Sequence, residues 1–216
     1  MITPAQQVLI LGSGSFAEEV ADVISEIPQV TLAGFVENQD GSLTGELMRG
    51  LPIYWVNQLA ELAETHTAIC GLGTTFRSRY VEQVEQYDLA FTTLVHPSAR
   101  VSTQASLAEG TFVSTAAVIA SYTTVGKHVS VNRAALIGHH TQIGPFVTIG
   151  PGANIAGNCR IGQSTYIGMS AVILDHISVG SHSVIGAGAV VTRNVPDNVQ
   201  VVGVPAGIVK ENIMGK

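Results

Sequence analysis

Residues 137–173 read IGHHTQ-IGPFVT-IGPGAN-IAGNCR-IGQSTY-IGMSAV-I, and the isoleucine opening each block of six decides the fold. At the same step the register extends back through Val131, Val125, Ile119, Val113, Leu107, Val101 and Val95, and forward through Val179, Ile185 and Val191. All seventeen positions are Val, Leu or Ile. With those types at roughly a quarter of an ordinary chain, an unbroken run of this length is a repeat rather than chance. A period of six matches neither an amphipathic helix nor a hairpin array. Two further registers accompany it. Four residues after each aliphatic the chain is small or β-branched, as at Ala117, Thr141, Ala153 and Cys159, and one residue after it is often glycine, as at Gly126, Gly138, Gly144 and Gly162. Together they describe a short strand that buries one large and one small side chain and then turns through a glycine-tolerant corner: a parallel β-solenoid.

The Ile-Gly-x-x-x-x blocks resemble the hexapeptide-repeat acyltransferases. That resemblance, and not the spacing, implies that three hexads make one triangular coil and that the β-helix is left-handed. Seventeen hexads then give about 5.7 coils, and at roughly 4.8 Å per layer a prism about 27 Å long.

Charged residues are only 12% of the 216, glycines number 23, and the net charge of −6 is unevenly placed. Residues 1–94 carry twelve acids against three arginines, a balance of −9, whereas residues 95–216 carry four acids against seven bases, a balance of +3. A general nucleic-acid surface is therefore not expected, and a mildly basic solenoid does not repel a phosphorylated cofactor. Cys70 and Cys159 both sit in apolar patterns and read as buried thiols of a reducing compartment. The N-terminus lacks the layout of a secretory leader and no apolar run is long enough to cross a membrane, so a cytoplasmic protein without membrane insertion is expected.

Ahead of the hexads, Val8–Leu11 reads as a strand, Gly12-Ser13-Gly14-Ser15-Phe16-Ala17 as a turn, and EEVADVIS as a helix with Val20, Val23 and Ile24 on one face. Such a unit can cradle an anion or nucleotide at the helix N-terminus. Thr31–Val36 is a second strand ending in Glu37-Asn38, where a dinucleotide fold holds ribose hydroxyls. Ile53–Trp55 and Ala68–Cys70 read as strands, and 56–64 and 77–86 as helices. The length allows about one mononucleotide-binding half rather than a full NAD site.

The GxGxxA loop, Gly34-Phe35-Val36-Glu37, His96-Pro97-Ser98 and the hexads together resemble the bacterial sugar acyltransferases that acetylate nucleotide-linked amino sugars, grouped with sialic acid O-acetyltransferase-like proteins. The resemblance implies a nucleotide-diphosphosugar-binding Rossmann-like α/β domain over residues 1–94, followed by an all-β left-handed parallel β-helix over residues 95–216. It further implies a homotrimer using acetyl-CoA without a metal. Gly12, Ser13, Gly14, Ser15, Glu37 and Asn38 are the expected nucleotide-sugar contacts, with Asn38 standing where the subfamily has a second acid.

Transfer from a thioester needs a general base and donors for the oxyanion. Of seven histidines, His66 reads as solvated, His96 as structural, and His128, His176 and His182 as surface residues of coil corners. The segment VNRAALIGHHTQIG resembles the subfamily's catalytic coil, with Asn132, the base His139 and, where an acid is usual, His140. Eighteen residues beyond His139 is Gly157, so one coil on a glycine amide is expected beside the imidazole. Thr148, Gly157, Gly186, Gly188, Arg193, Pro205 and Lys210 are the expected coenzyme A contacts, Thr148 replacing a frequent histidine. Cys159 reads as a packed thiol.

The expected reaction is N-acetylation of a nucleotide-linked 4-amino-4,6-dideoxy sugar, because a neutral amine needs less from a base without a carboxylate partner. The alternatives are O-acetylation of a sialic-acid-like sugar and a non-catalytic nucleotide-binding trimer. The γ-class carbonic anhydrases resemble the solenoid too, but after His140 and His176 their third ligand falls on Ser181, one place before His182.

Overall fold

A computed structural model describes residues 6–216; residues 1–5, which enter the reading of the N-terminus as leaderless, lie outside the described residues. The chain divides into two compact units, the first running to Gly73 and taking in Arg77–Pro97, the second comprising Thr74–Phe76 and Ser98–Lys216.

In the first unit the sequence pattern becomes β1 (Gln6–Leu11), α1 (Ser15–Ser25), β2 (Val30–Glu37), β3 (Leu47–Met48), β4 (Leu51–Trp55), α2 (Leu59–Leu62), β5 (His66–Cys70) and α3 (Ser78–Glu85). The sheet order is β3-β4-β2-β1-β5, parallel except for the β3–β4 hairpin. Strand β1 is central, with Val8, Leu9, Ile10 and Leu11 fully buried, which is why it reads as a continuous apolar run. The chain moves from β1 to β2 and β4 on one side, then crosses to β5 on the other. The switch point therefore lies at the carboxyl ends of β1 and β5, where α/β sheets open a ligand crevice. Ala17, Val20, Ala21, Val23 and Ile24 bury one face of α1, and Tyr80 ties α3 to β2 by donating from its hydroxyl to Val36 O at 2.8 Å.

The second unit is the solenoid, with two-residue strands on three faces. The first face holds Arg100–Val101, Val118–Ile119, Leu136–Ile137, Asn154–Ile155, Val172–Ile173 and Val190–Val191. The second holds Ser106–Leu107, Thr124–Val125, Gln142–Ile143, Arg160–Ile161 and Ser178–Val179, and the third runs from Phe112–Val113 through Ser130–Val131, Thr148–Ile149 and Tyr166–Ile167 to Val184–Ile185. Ladder partners such as Leu136 and Asn154 are eighteen residues apart. The second residue of each strand is the aliphatic of the repeat and points inward; Ile137, Ile149, Ile155 and Ile167 are all at most 2% exposed.

The small register is also internal, and its polar members are satisfied by one repeated bond. Thr111, Thr123, Thr141 and Thr165 each donate from Oγ1 to the carbonyl fifteen residues on, at Gly126, Gly138, Ala156 and Gly180. Cys159 occupies the same register, with Sγ 3.1 Å from Leu174 O. A buried hydroxyl without such a partner would be costly, so these threonines lock each coil to the next.

The glycine-rich position differs from its sequence reading. The left-handed corner residue lies two places later and is usually not glycine: Ala116, Tyr122, His128, Ala134, His140, Phe146 and Asn158 all have φ between 55° and 62°. The glycine after the aliphatic is required by close stacking instead. At Gly138 an added Cβ would sit 2.5 Å from Ala156 C and Gly157 N.

A second difference is at the end of the ladder. Val195 bridges Val179 and is 7% exposed, so it is the next inward aliphatic rather than a member of the small register, and the last coil is two residues short. Gln200–Gly203 then continues the third face beside Val184–Ile185 and pairs antiparallel with Ala206–Lys210.

Candidate active site

His139 and His140 form the turn between the first and second faces, here called the first corner. One coil on, Gly157 and Asn158 occupy the same places, and two coils on, Asp175 and His176. The corner is fixed from inside, because Thr123 holds the carbonyl of Gly138 and Thr141 that of Ala156. Sequence reasoning counted those threonines only as small residues; their hydroxyls were the available signal.

The imidazole of His139 lies against Gly157. A Cβ on Gly157 would be 2.7 Å from His139 Cε1 and 2.9 Å from Nε2, so only glycine leaves this ring in place. Among the described residues the Gly157 amide donates to no acceptor, as is also true of Ser121, His139 and Asp175 in the same column. What distinguishes Gly157 is a spare N–H with an imidazole directly beside it. His139 Nδ1 lies 3.1 Å from His140 Nδ1, with the rings nearly perpendicular at 85°. Tyr122, eighteen residues before His140 and so in the coil below, stacks obliquely on it at 4.9 Å between centroids. Both histidines are exposed. Beside them opens a cleft of about 360 Å³ lined by His140, Gln142, Asn158, Arg160, His176 and Ser178 with Cys159 at its base.

The other expected residues are not all brought here. Asn132 sits at the opposite end of the first-face strand, between the third and first faces, where its Nδ2 donates to Ile149 O at 2.8 Å and is buried. Seven residues along the chain span a whole face, so Asn132 is a coil-to-coil clamp and not a neighbour of His139. Thr148 lies on the third face and is 2% exposed, which removes it from any open groove of this chain. Gly186 and Gly188 line the corner between the third and first faces, with Pro205 and Lys210 on the following hairpin. Arg193 is exposed at the shortened first corner. The expected coenzyme A residues thus divide between two edges of one prism.

The remaining histidines sort by environment. His96 Nε2 bonds Glu26 at 3.0 Å. His128, expected at the surface, is 2% exposed because its ring stacks on Phe146 at 11° and 5.1 Å. His182 lies at a different corner from His140 and His176, and among the described residues no three His, Cys, Asp or Glu side chains group to hold a metal ion. Burial pushes both the Cys70 and Cys159 thiols up, against a role as nucleophile.

In the first unit, Gly12 has φ of 103°, which demands glycine, and its N–H donates to Val36 O. Gly14 precedes α1 with φ of −90° and nothing within 4 Å of a Cβ position, so neither backbone nor packing requires a glycine there. No side chain caps the helix, which leaves its N-terminus facing the crevice. Glu37 is held in its carboxylate form: burial raises its pKa, but the Ser13 hydroxyl at 2.6 Å and the backbone amides of Gln39, Asn38 and Asp40 outweigh this and lower it. Asn38 donates from Nδ2 to Gln83 Oε1 at 2.8 Å, so its amide group is committed to α3.

These features define a transferase-type hexapeptide β-helix preceded by a Rossmann-like α/β unit, and the comparisons agree: the family described as bacterial transferase hexapeptide (six repeats) matches residues 158–193. The helix is of the left-handed class. A sequence comparison with curated proteins finds no match. Among solved structures, the chain is 26% identical to a histidine-to-asparagine variant of perosamine N-acetyltransferase from Caulobacter crescentus in complex with CoA and GDP-perosamine, with a TM-score of 0.88 over 95% of this chain and 97% of that one. It is 28% identical to the acetyltransferase domain of PglB from Neisseria gonorrhoeae in complex with acetyl coenzyme A, with a TM-score of 0.86 over 95% and 100% of the two chains. WeeI from Acinetobacter baumannii is similar at 25% identity, TM-score 0.86, over 95% and 100%.

Proposed function

We propose that this protein transfers the acetyl group of acetyl-CoA to the amino group of a nucleotide-linked amino sugar, with His139 as general base and the Gly157 amide as oxyanion donor. The observation that carries the reading is the imidazole of His139 lying against a glycine whose N–H is spare. The acceptor amine attacks the thioester carbonyl while His139 Nε2 takes its proton. The carbonyl oxygen gains negative charge beside the Gly157 N–H, the C–S bond breaks, and the thiolate leaves with the proton from His139 as free thiol. The partner of His139 is an imidazole and not a carboxylate, which favours a neutral amine over a hydroxyl.

The relatives with GDP-perosamine and acetyl coenzyme A support this donor and acceptor class, and a 4-amino-4,6-dideoxy sugar is our specific choice. The crevice of Gly12, Ser13, Gly14 and Ser15, with Glu37 opposite, is suited to the nucleotide part, since the helix N-terminus favours phosphate. We further propose a homotrimer in the cytoplasm. Two features support the oligomer: the expected donor residues divide between two edges, so a second copy would complete the groove, and the first face presents Val118, Leu136, Val172 and Val190, with Leu136 40% and Leu174 42% exposed.

The test is thiol release from acetyl-CoA with nucleotide amino sugars. His139→Ala should lower turnover by about 10² or more, the usual contribution of a general base, with the melting temperature and oligomeric state unchanged. Retained turnover in that variant removes the proposal.

A further inference from the structure

A contact of 3.1 Å between His139 Nδ1 and His140 Nδ1 admits only one proton between the two atoms. If His139 donates, its Nε2 keeps a lone pair and the ring can act as a base; if His140 donates, His139 carries its proton on Nε2 and cannot. From this we infer that His140 is a positioning residue: as a neutral acceptor at Nδ1 it holds His139 in the tautomer whose Nε2 can take a proton. The inference rests on His139 being the base.

The surroundings fix His140 for that task. Its backbone has φ of 56°, its N–H donates to Ser121 O at 3.0 Å, and Tyr122 covers one ring face. The groups that share its cleft are Gln142, Asn158, Cys159, Arg160, Ser178 and His176, the last 3.7 Å from Asp175. None of them stands between the two Nδ1 atoms. A carboxylate at 140 would be a second kind of acceptor for the His139 Nδ1–H.

Variants at 140 are testable because the register tolerates them. Ala116 and Ala134 have φ of 55° at the equivalent corner position, and Asn158 has 60°. His140→Ala should lower kcat about fivefold to tenfold, the factor associated with one lost neutral hydrogen bond, with little change in either KM. His140→Asn, whose Oδ1 can accept where Nδ1 did, should restore most of the loss. His140→Asp, whose carboxylate is an acceptor too, should likewise keep kcat above that of His140→Ala. If His140→Ala turns over like the parent, or if neither His140→Asn nor His140→Asp recovers what His140→Ala loses, the positioning role is wrong while the base assignment stands. If His139→Ala itself remains active, both fall together.

Discussion

Gly157 separates two ways in which a glycine matters. Its φ is not in the left-handed region, so an alanine there carries no backbone strain, and what the new methyl would meet is the His139 ring rather than backbone. Gly157→Ala should therefore keep the melting temperature within a few degrees and lower kcat by about tenfold or more, because the base is displaced from the amide it works beside. A thermal melt alongside steady-state kinetics checks this; an unfolded variant would show instead that Gly157 is a stacking glycine like Gly138. The pairing of His139 with Gly157 was legible in the sequence because eighteen residues separate stacked positions. The same arithmetic reaches Tyr122 below His140. The direction of the His140 ring was not legible, since a rotamer leaves no trace in spacing, and Asn132, which entered by resemblance alone, lies a whole face away from His139 within this chain. Asn38, read as standing in for an acid, has its amide engaged by Gln83, a partner 45 residues away that no local pattern announces.

Among the elements, the coil is the natural unit, and the ladder of hydroxyls sets its precision. Thr141 Oγ1 donates to Ala156 O at 3.1 Å and accepts from Cys159 N at 3.2 Å, inside the corner that presents His139. Thr141→Val keeps the shape and removes both bonds, leaving a buried carbonyl and amide unsatisfied, which costs about 1–3 kcal/mol. We expect a fall in denaturant midpoint together with reduced turnover; a variant with unchanged stability would mean that these bonds contribute little to the stack. The repeat of six was fully legible because inward aliphatics dominate burial. The glycines were assigned to the wrong cause: their clearance against the next coil is a tertiary constraint, whereas the left-handed turn is carried by residues as varied as Tyr122, His140 and Phe146. The loss of two residues before Val195 went unseen because a valine also satisfies the small, β-branched register.

For the whole molecule, the account depends on faces meeting. The second face shows Ser106, Thr124, Gln142, Arg160 and Ser178 to solvent, whereas the first shows mainly aliphatics at the same positions. This contrast was present in the sequence but unreadable until the three faces could be told apart. Leu136→Glu places a charge at the centre of the first face, and the proposed trimer should dissociate toward the 22.6 kDa chain in sedimentation while each chain keeps its strand content. A parent protein that sediments as a monomer would contradict the oligomer directly.

The most direct test of the central claim is free-thiol release from acetyl-CoA across a panel of nucleotide-linked sugars, run on the parent protein and on His139→Ala. The account predicts release that requires a free amino group on the sugar and an attached nucleotide, and that is lost in the variant. Release with hydroxyl-only sugars, or equal release by both proteins, would contradict it.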